Sequence, residues 1–126
     1  SVEHVTNLDD VSHRSDYITI HVPAMDSTRG MIGAHELEVA KPGCAVMNFS
    51  RDTLVDNAAM AEALETGRVA TYVTDFATPE VMTMEGALVL PHLGASTAEA
   101  EENCAEMAVR EVMDYLETGK KVHCVN

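Results

Sequence analysis

The fold of this chain is decided at residues 90–97, which read Leu90-Pro91-His92-Leu93-Gly94-Ala95-Ser96-Thr97. The stretch joins the end of an apolar strand to a glycine turn, and Ser96 and Glu99 have the spacing of a capping box, which predicts a helix just beyond the turn. In open α/β sheets, ligands bind at the carboxyl ends of the strands. His92 is expected at such an end, where an imidazole is suited to proton transfer.

The order of elements along the chain predicts an α/β fold. We expect apolar strands at residues 16–22, 44–49, 68–76 and 87–90, and helices at residues 8–13, 31–40, 57–66 and 97–118. Nearly continuous apolar strands that alternate with helices are typical of a parallel sheet.

Charge and composition exclude some functions. The chain has 21 acidic and 8 basic residues, which gives a net charge of −13. General binding to nucleic acid or to an anionic membrane needs a basic surface, so we expect neither partner.

The cysteines and histidines favour a reducing compartment and argue against a metal site. Cys44, Cys104 and Cys124 are far apart and lack Cys-x-x-Cys spacing. An odd number of separated thiols is typical of a cytoplasmic protein without disulfides. The six histidines show no metal-binding spacing, so no metal is expected.

The apolar pattern stops at the expected carboxyl end of each strand. The residues at these ends are Val22 and Pro23, then Ser50 and Arg51, then Asp75, then His92, with Glu80 in the loop after Asp75. Because the carboxyl ends of parallel strands lie along one edge, these residues are expected close together. An arginine can grip a substrate carboxylate, and an imidazole can take a hydroxyl proton. The alternative is that Arg51 and Glu80 form an ordinary surface ion pair.

Five segments, in the expected order, resemble the D-isomer-specific 2-hydroxyacid dehydrogenases. They are Asp16-Tyr17-Ile18-Thr19-Ile20-His21-Val22-Pro23, Lys41-Pro42-Gly43, Asn48-Phe49-Ser50-Arg51, Leu54-Val55-Asp56 and Pro91-His92-Leu93-Gly94-Ala95-Ser96-Thr97. The last segment and the end of the final helix are most similar to the phosphoglycerate dehydrogenase branch of that family. The resemblance covers essentially the whole chain.

The resemblance implies a role for each matching residue. Arg51 would hold the substrate carboxylate, His92 would be the general acid/base, and Glu80 would be the acid that pairs with it. Asp75 would lie near the nicotinamide carboxamide of NAD. The other implied cofactor contacts, besides Arg51 and His92, are Val22 and Pro23 on the adenosine side and Phe49, Ser50, Gly94 and Ala95 around the nicotinamide.

The implied activity is NAD-dependent oxidation of a D-2-hydroxyacid, with 3-phosphoglycerate as the leading substrate and 3-phosphohydroxypyruvate, in serine biosynthesis, as the product. Glycerate or lactate is an alternative substrate, and a non-catalytic NAD-sensing protein on the same scaffold is an alternative class. The implied partners are the small substrate and further copies of the chain, in a homo-oligomer.

No Gly-x-Gly-x-x-Gly loop occurs in the chain, and Gly30-Met31-Ile32-Gly33 is the nearest pattern. Rossmann sheets carry that loop after their first strand, so we expect it upstream of Ser1. The expected fold is therefore a partial Rossmann-like doubly wound parallel sheet lacking its first two strands. Residues 1–126 would form the C-terminal part of an NAD-binding domain, inactive in isolation. With the strand order 3-2-1-4-5-6, two absent strands would separate strand 16–22 from strand 44–49, a gap of about 14 Å.

Overall fold

The computed structural model describes residues 2–123, so Cys124 lies outside the described residues. These residues fall into two compact units, divided between His92 and Leu93. No helix among them is long and apolar enough to cross a membrane.

The first unit alternates strands and helices as the sequence predicts. Its strands are β1 (Tyr17–Ile20), β2 (Cys44–Asn48), β3 (Val69–Thr74) and β4 (Ala87–Val89), and its helices are α1 (Leu8–Arg14), α2 (Ala34–Val39), α3 (Asn57–Glu65) and α4 (Pro79–Met82). A 3-10 turn covers Asp52–Leu54. Helix α4 was expected to be a loop. It begins where Thr78 caps the amide of Val81 and proline takes the first helical position, where the missing N–H costs nothing.

The four strands form one parallel sheet in the order β1-β2-β3-β4. The expected α/β class is confirmed, but the expected gap between the first two strands is wrong. β1 pairs directly with β2, from Tyr17 opposite Ala45 to Ile20 opposite Asn48. The reason is that consecutive parallel strands joined by a short helical crossover usually become neighbours. Since β2 also pairs with β3, any further strand beside β1 would have to pair with its outer edge.

One face of the sheet and helices α2, α3 and α4 enclose the core of the first unit. Val46 and Tyr72 point into it from neighbouring strands, and Leu37 and Met60 meet them from α2 and α3. Helix α3 packs against β3, and α4 packs against β4. Burial raises the pKa of the Cys44 thiol at the start of β2, which keeps this core sulfur protonated and unreactive.

Polar caps and glycine turns fix the connections between strands. The carboxylate of Asp56 accepts hydrogen bonds from the amides of Ala58 and Ala59, at 3.0 and 3.1 Å, and so begins α3. Gly43 has a φ of 78° and donates its amide to the carbonyl of Arg68 at 2.9 Å. Gly43 and Asp56, which end two of the segments that carry the family resemblance, thus have structural tasks between elements.

The second unit is built around α5 (Ala98–Thr118). The capping box expected from Ser96 and Glu99 is not formed, because the N-cap is the next residue, Thr97, whose hydroxyl accepts from the amide of Ala100 at 3.1 Å. The amide of Ser96 is bonded to the carbonyl of Leu93 within the preceding turn. Gly119, in the left-handed conformation, ends the helix as predicted.

Candidate functional site

An imidazole and a carboxylate meet at the carboxyl ends of β3 and β4. The Nδ1 atom of His92 lies 2.9 Å from Oδ2 of Asp75. The Asp75 side chain is only 12% exposed, whereas that of His92 is 53% exposed. The ring of Phe76 lies beside the imidazole, with the two centroids 5.0 Å apart. His92 is therefore held on one side by a buried carboxylate and stays open to solvent on the other.

The second oxygen of Asp75 is buried and has no hydrogen-bond partner among the described residues. A buried carboxylate oxygen without a donor is costly, so such an atom in a native protein calls for an explanation. A ligand that brings an N–H or O–H group to this edge would satisfy it. The arrangement fits a bound molecule with an amide or hydroxyl donor.

Arg51 follows β2 and is exposed. One of its terminal nitrogens donates to the carbonyl of Ser50 at 2.6 Å. Among the described residues it forms no ion pair with an acid, so the alternative surface pair with Glu80 is not present. An exposed guanidinium without an acidic partner can bind a carboxylate through two parallel hydrogen bonds.

The loop that carries Arg51 is tied to strands on both sides. The Ser50 hydroxyl donates to the carbonyl of Val22, beyond β1, at 2.7 Å. The fully buried side chain of Asn48 accepts from the Ser50 amide at 3.2 Å and donates to the Arg51 carbonyl at 2.8 Å. The hydroxyl of Thr74, on β3, donates to the Asn48 carbonyl at 2.9 Å. The sheet edge is thus a connected polar network.

Tyr72 lies in the core below this network. Burial raises the pKa of its phenol, while the neighbouring polar side chains of Asn48 and Thr74 act in the opposite direction. The phenol therefore stays protonated at neutral pH and serves as a structural group under the edge.

Glu80 lies in the first turn of α4 and is exposed. Hydrogen bonds from its own backbone amide and from the Thr78 side chain hold the pKa of its carboxyl below the usual range. Among the described residues, Glu80 forms no ion pair with His92. The carboxylate that meets His92 in this structure is Asp75, and the expected pairing with Glu80 stays a prediction.

The remaining expected contacts are divided between the two units. Val22 is half-buried at the end of β1, Pro23 is exposed, and Phe49 is 42% exposed beside the Arg51 loop. Gly94, with a φ of 53°, and Ala95 lie in the turn of the second unit. The structure therefore brings together at one edge the expected residues of the first unit other than Glu80, which lies on α4.

Two further features have structural explanations. The amide of Gly33 donates to the Glu36 carboxylate at 3.0 Å, so the nearest glycine pattern caps α2 and does not present this amide to a phosphate. Asp9, His35 and Glu36 bring metal-ligand atom types within 4.8 Å of one another. They lie in the first turns of α1 and α2, where the helix dipoles disfavour a cation.

Sequence reasoning missed Asn48 and Thr74 as parts of the site. Asn48 carried a signal, because an amide side chain that closes an apolar strand must find partners when it is buried. Thr74 carried none, since threonine is an ordinary strand residue.

Comparisons with known proteins identify the family of the chain. The family described as "D-isomer specific 2-hydroxyacid dehydrogenase, NAD binding domain" matches residues 1–94. The D-3-phosphoglycerate dehydrogenase of Escherichia coli (strain K12) is 33% identical over 133 residues, which cover 97% of this chain and 32% of that protein. The D-3-phosphoglycerate dehydrogenase of Mycobacterium tuberculosis (strain ATCC 25618 / H37Rv) is 39% identical over 102 residues, covering 76% of this chain and 19% of that protein.

A solved structure supports the fold over nearly the whole chain. The D-lactate dehydrogenase with NAD+ from Lactobacillus jensenii superposes with a TM-score of 0.79 at 27% identity, covering 96% of this chain and 42% of that one. The chain spans about a third of the length of the Escherichia coli relative, at 32%. The cofactor of the matching domain is NAD. On the match over residues 1–94 and these relatives, the chain belongs to the D-isomer specific 2-hydroxyacid dehydrogenase family.

Proposed function

We propose that the protein carrying this chain oxidises the C2 hydroxyl of a D-2-hydroxyacid with NAD, and that this chain is the C-terminal part of its NAD-binding domain. The observation that carries the proposal is the His92–Asp75 pair at the sheet edge. A half-exposed imidazole fixed by a buried carboxylate can accept a hydroxyl proton as a general base. The chemistry that bound NAD supplies is acceptance of a hydride from C2.

Each residue at the edge has a stated task in this proposal. Arg51 binds the substrate carboxylate and fixes the direction in which C2 is presented. His92 takes the hydroxyl proton on oxidation and returns it on reduction of the 2-oxoacid. Asp75 orients the imidazole through Oδ2, and its buried Oδ1 suits an amide donor such as the carboxamide of the cofactor.

The other cofactor contacts follow from the family resemblance. Val22 and Pro23 would line the adenosine side, and Phe49 and Ser50 the nicotinamide side, together with Gly94 and Ala95 of the second unit. A role for Glu80 as the acid that pairs with His92 stays a prediction of the resemblance, and the observed position of Asp75 favours a different partner. Variants at both carboxylates separate the two.

The favoured substrate is 3-phosphoglycerate, which would make 3-phosphohydroxypyruvate for serine biosynthesis. The names of the curated relatives support this choice. Lactate is the second candidate, because the Lactobacillus jensenii structure is a D-lactate dehydrogenase. The protein is proposed to be a homo-oligomer and to lie in the cytoplasm. A measurement of its mass in solution tests the oligomeric state.

The test is steady-state turnover of the full-length protein with NAD and a panel of D-3-phosphoglycerate, D-glycerate and D-lactate. We expect the highest kcat/KM for 3-phosphoglycerate, and no turnover of the L-isomers of the other two. A higher kcat/KM for lactate would make lactate the favoured substrate and leave the proposed oxidation of a D-2-hydroxyacid unchanged. Tight NADH binding without turnover of any of the three would favour a non-catalytic NAD-sensing protein.

A further inference from the structure

Thr74 is the last residue of β3 and joins three of the four strand ends. It is fully buried. Its hydroxyl donates to the carbonyl of Asn48 at 2.9 Å, at the end of β2. The same oxygen accepts from the amide of Phe76 at 3.2 Å. Its own carbonyl accepts from the amide of Leu90, beyond β4, at 2.8 Å.

These bonds place Thr74 between the two halves of the candidate site. On one side, Asn48 holds both the Ser50 amide and the Arg51 carbonyl. On the other side, Asp75 is the residue next to Thr74, and its Oδ2 lies 2.9 Å from His92. A single hydroxyl therefore connects the backbone that carries Arg51 with the backbone that carries Asp75.

We propose that Thr74 is a positioning residue, whose hydroxyl fixes the Arg51 loop relative to the Asp75–His92 pair. The proposal rests on the proposed function, since it concerns the alignment of substrate anchor and base. Thr74 is not a catalytic residue, because it reaches the reacting groups only through the backbone of its neighbours. Its hydrogen bond to the Asn48 carbonyl is buried, so water does not replace that bond when it is lost.

Thr74→Val is the perturbation, because valine keeps the shape of the side chain and removes its hydroxyl. The Phe76 amide then loses its acceptor, and the Asn48 carbonyl loses a donor. Since a misplacement of about 1 Å between reacting groups can cost on the order of a hundredfold in rate, we expect kcat/KM to fall by about thirtyfold to a hundredfold. Thr74→Ser keeps the hydroxyl and should remain within about threefold of the wild type.

Thr71→Val is the matched control. Thr71 lies on the same strand, and its side chain forms no hydrogen bond among the described residues. The same change of threonine to valine there should leave kcat/KM unchanged. All measurements use the full-length protein, at a temperature where every variant is folded by circular dichroism.

The deuterium isotope effect on kcat, measured with substrate labelled at C2, separates positioning from loss of stability. Misalignment slows the hydride step itself, so the isotope effect should rise in Thr74→Val and return to the wild-type value in Thr74→Ser. A smaller population of folded enzyme would leave the isotope effect unchanged. A Thr74→Val enzyme within twofold of the wild type, or a Thr74→Ser enzyme as slow as Thr74→Val, overturns the proposal.

Amide hydrogen exchange at Phe76 tests the hydrogen bond from this amide to the Thr74 hydroxyl, and it needs no turnover. We expect faster exchange in Thr74→Val and wild-type exchange in Thr74→Ser. If the wild-type protein turns over no hydroxyacid, the proposed function fails, and the exchange experiment alone then decides the structural claim. Equal exchange rates in the two variants would overturn it.

Discussion

The pairing of His92 with Asp75 predicts that Asp75→Asn slows the reaction more than Glu80→Gln does. Asparagine keeps the size of the side chain and removes its charge, so the imidazole loses the carboxylate 2.9 Å away. In the proposed oxidation His92 would become cationic, and Asp75 would stabilise that charge as it forms. Glu80 forms no ion pair or hydrogen bond with the imidazole in the part of the chain that the structure describes.

The expected size of the effect comes from this distance. Two unit charges 2.9 Å apart attract by about 1.4 kcal/mol in water and by about 6 kcal/mol at an effective dielectric constant of about 20. Because His92 is half exposed, the lower part of this range applies, about 1.4 to 3 kcal/mol after solvent screening. At about 1.4 kcal/mol per factor of ten, Asp75→Asn should lower kcat tenfold to about a hundredfold.

The assay is the appearance of NADH at saturating NAD and saturating hydroxyacid, with the full-length protein and both variants. Glu80→Gln serves as the matched variant, because it also neutralises one carboxylate, in the first turn of α4. We expect its kcat within about threefold of the wild type, since it removes no charge from contact with the base. A larger loss in Glu80→Gln than in Asp75→Asn would refute the pairing and restore Glu80 as the partner.

Four other outcomes follow from the same contacts. His92→Ala should lower kcat by about a hundredfold to ten-thousandfold and leave the Kd of NADH nearly unchanged; normal turnover would exclude His92 as the base. The 126-residue chain alone should show no micromolar NADH binding in a fluorescence titration, because its glycine pattern caps a helix. Ser12→Ala should raise the free energy of unfolding by about 1 kcal/mol in a urea titration, since the buried Ser12 hydroxyl has no partner within residues 2–123 and its desolvation is uncompensated. Asp9 raises the pKa of His35, so that pair stabilises the fold below about pH 6.5 and the contribution is lost as the pH rises through the raised pKa. His35→Gln should therefore lower Tm at about pH 5.5 and leave it unchanged at about pH 8.5, whereas an equal effect at both would contradict the ion pair.

The elements of the sheet were predictable because their signals are local. Apolar runs of strand length that alternate with capped helices identify β1 to β4 and α3 directly. The polar residues at the strand ends, among them Arg51 and Asp75, were predictable for the same reason. They interrupt an apolar pattern at the point where a parallel strand reaches the ligand-binding edge.

Local signals predicted neither the strand that pairs with β1 nor the carboxylate that meets His92. Strand order depends on how each crossover packs, and the sequence of β1 is equally compatible with either half of a doubly wound sheet. The separation of Asp75 and Glu80 from His92 along the chain says nothing about which carboxylate reaches the imidazole. The capping of α4 by Thr78 holds Glu80 at a helix start, and only the folded chain reveals this.

The corrected strand order changes how the proposed cofactor contacts relate to one another. Since β1, β2, β3 and β4 are neighbours in that order, Val22 lies at one end of the edge and His92 at the other. The contacts proposed for the adenosine side and those proposed around the nicotinamide then follow each other along the sheet. A further strand bearing a glycine loop could pair only beyond β1 or β4, and pairing beyond β1 would place its phosphate-binding turn beside Val22. In the proposed enzyme, the general base and the phosphate anchor would thus occupy opposite ends of one sheet edge, so we expect residues 2–123 alone to bind NAD weakly.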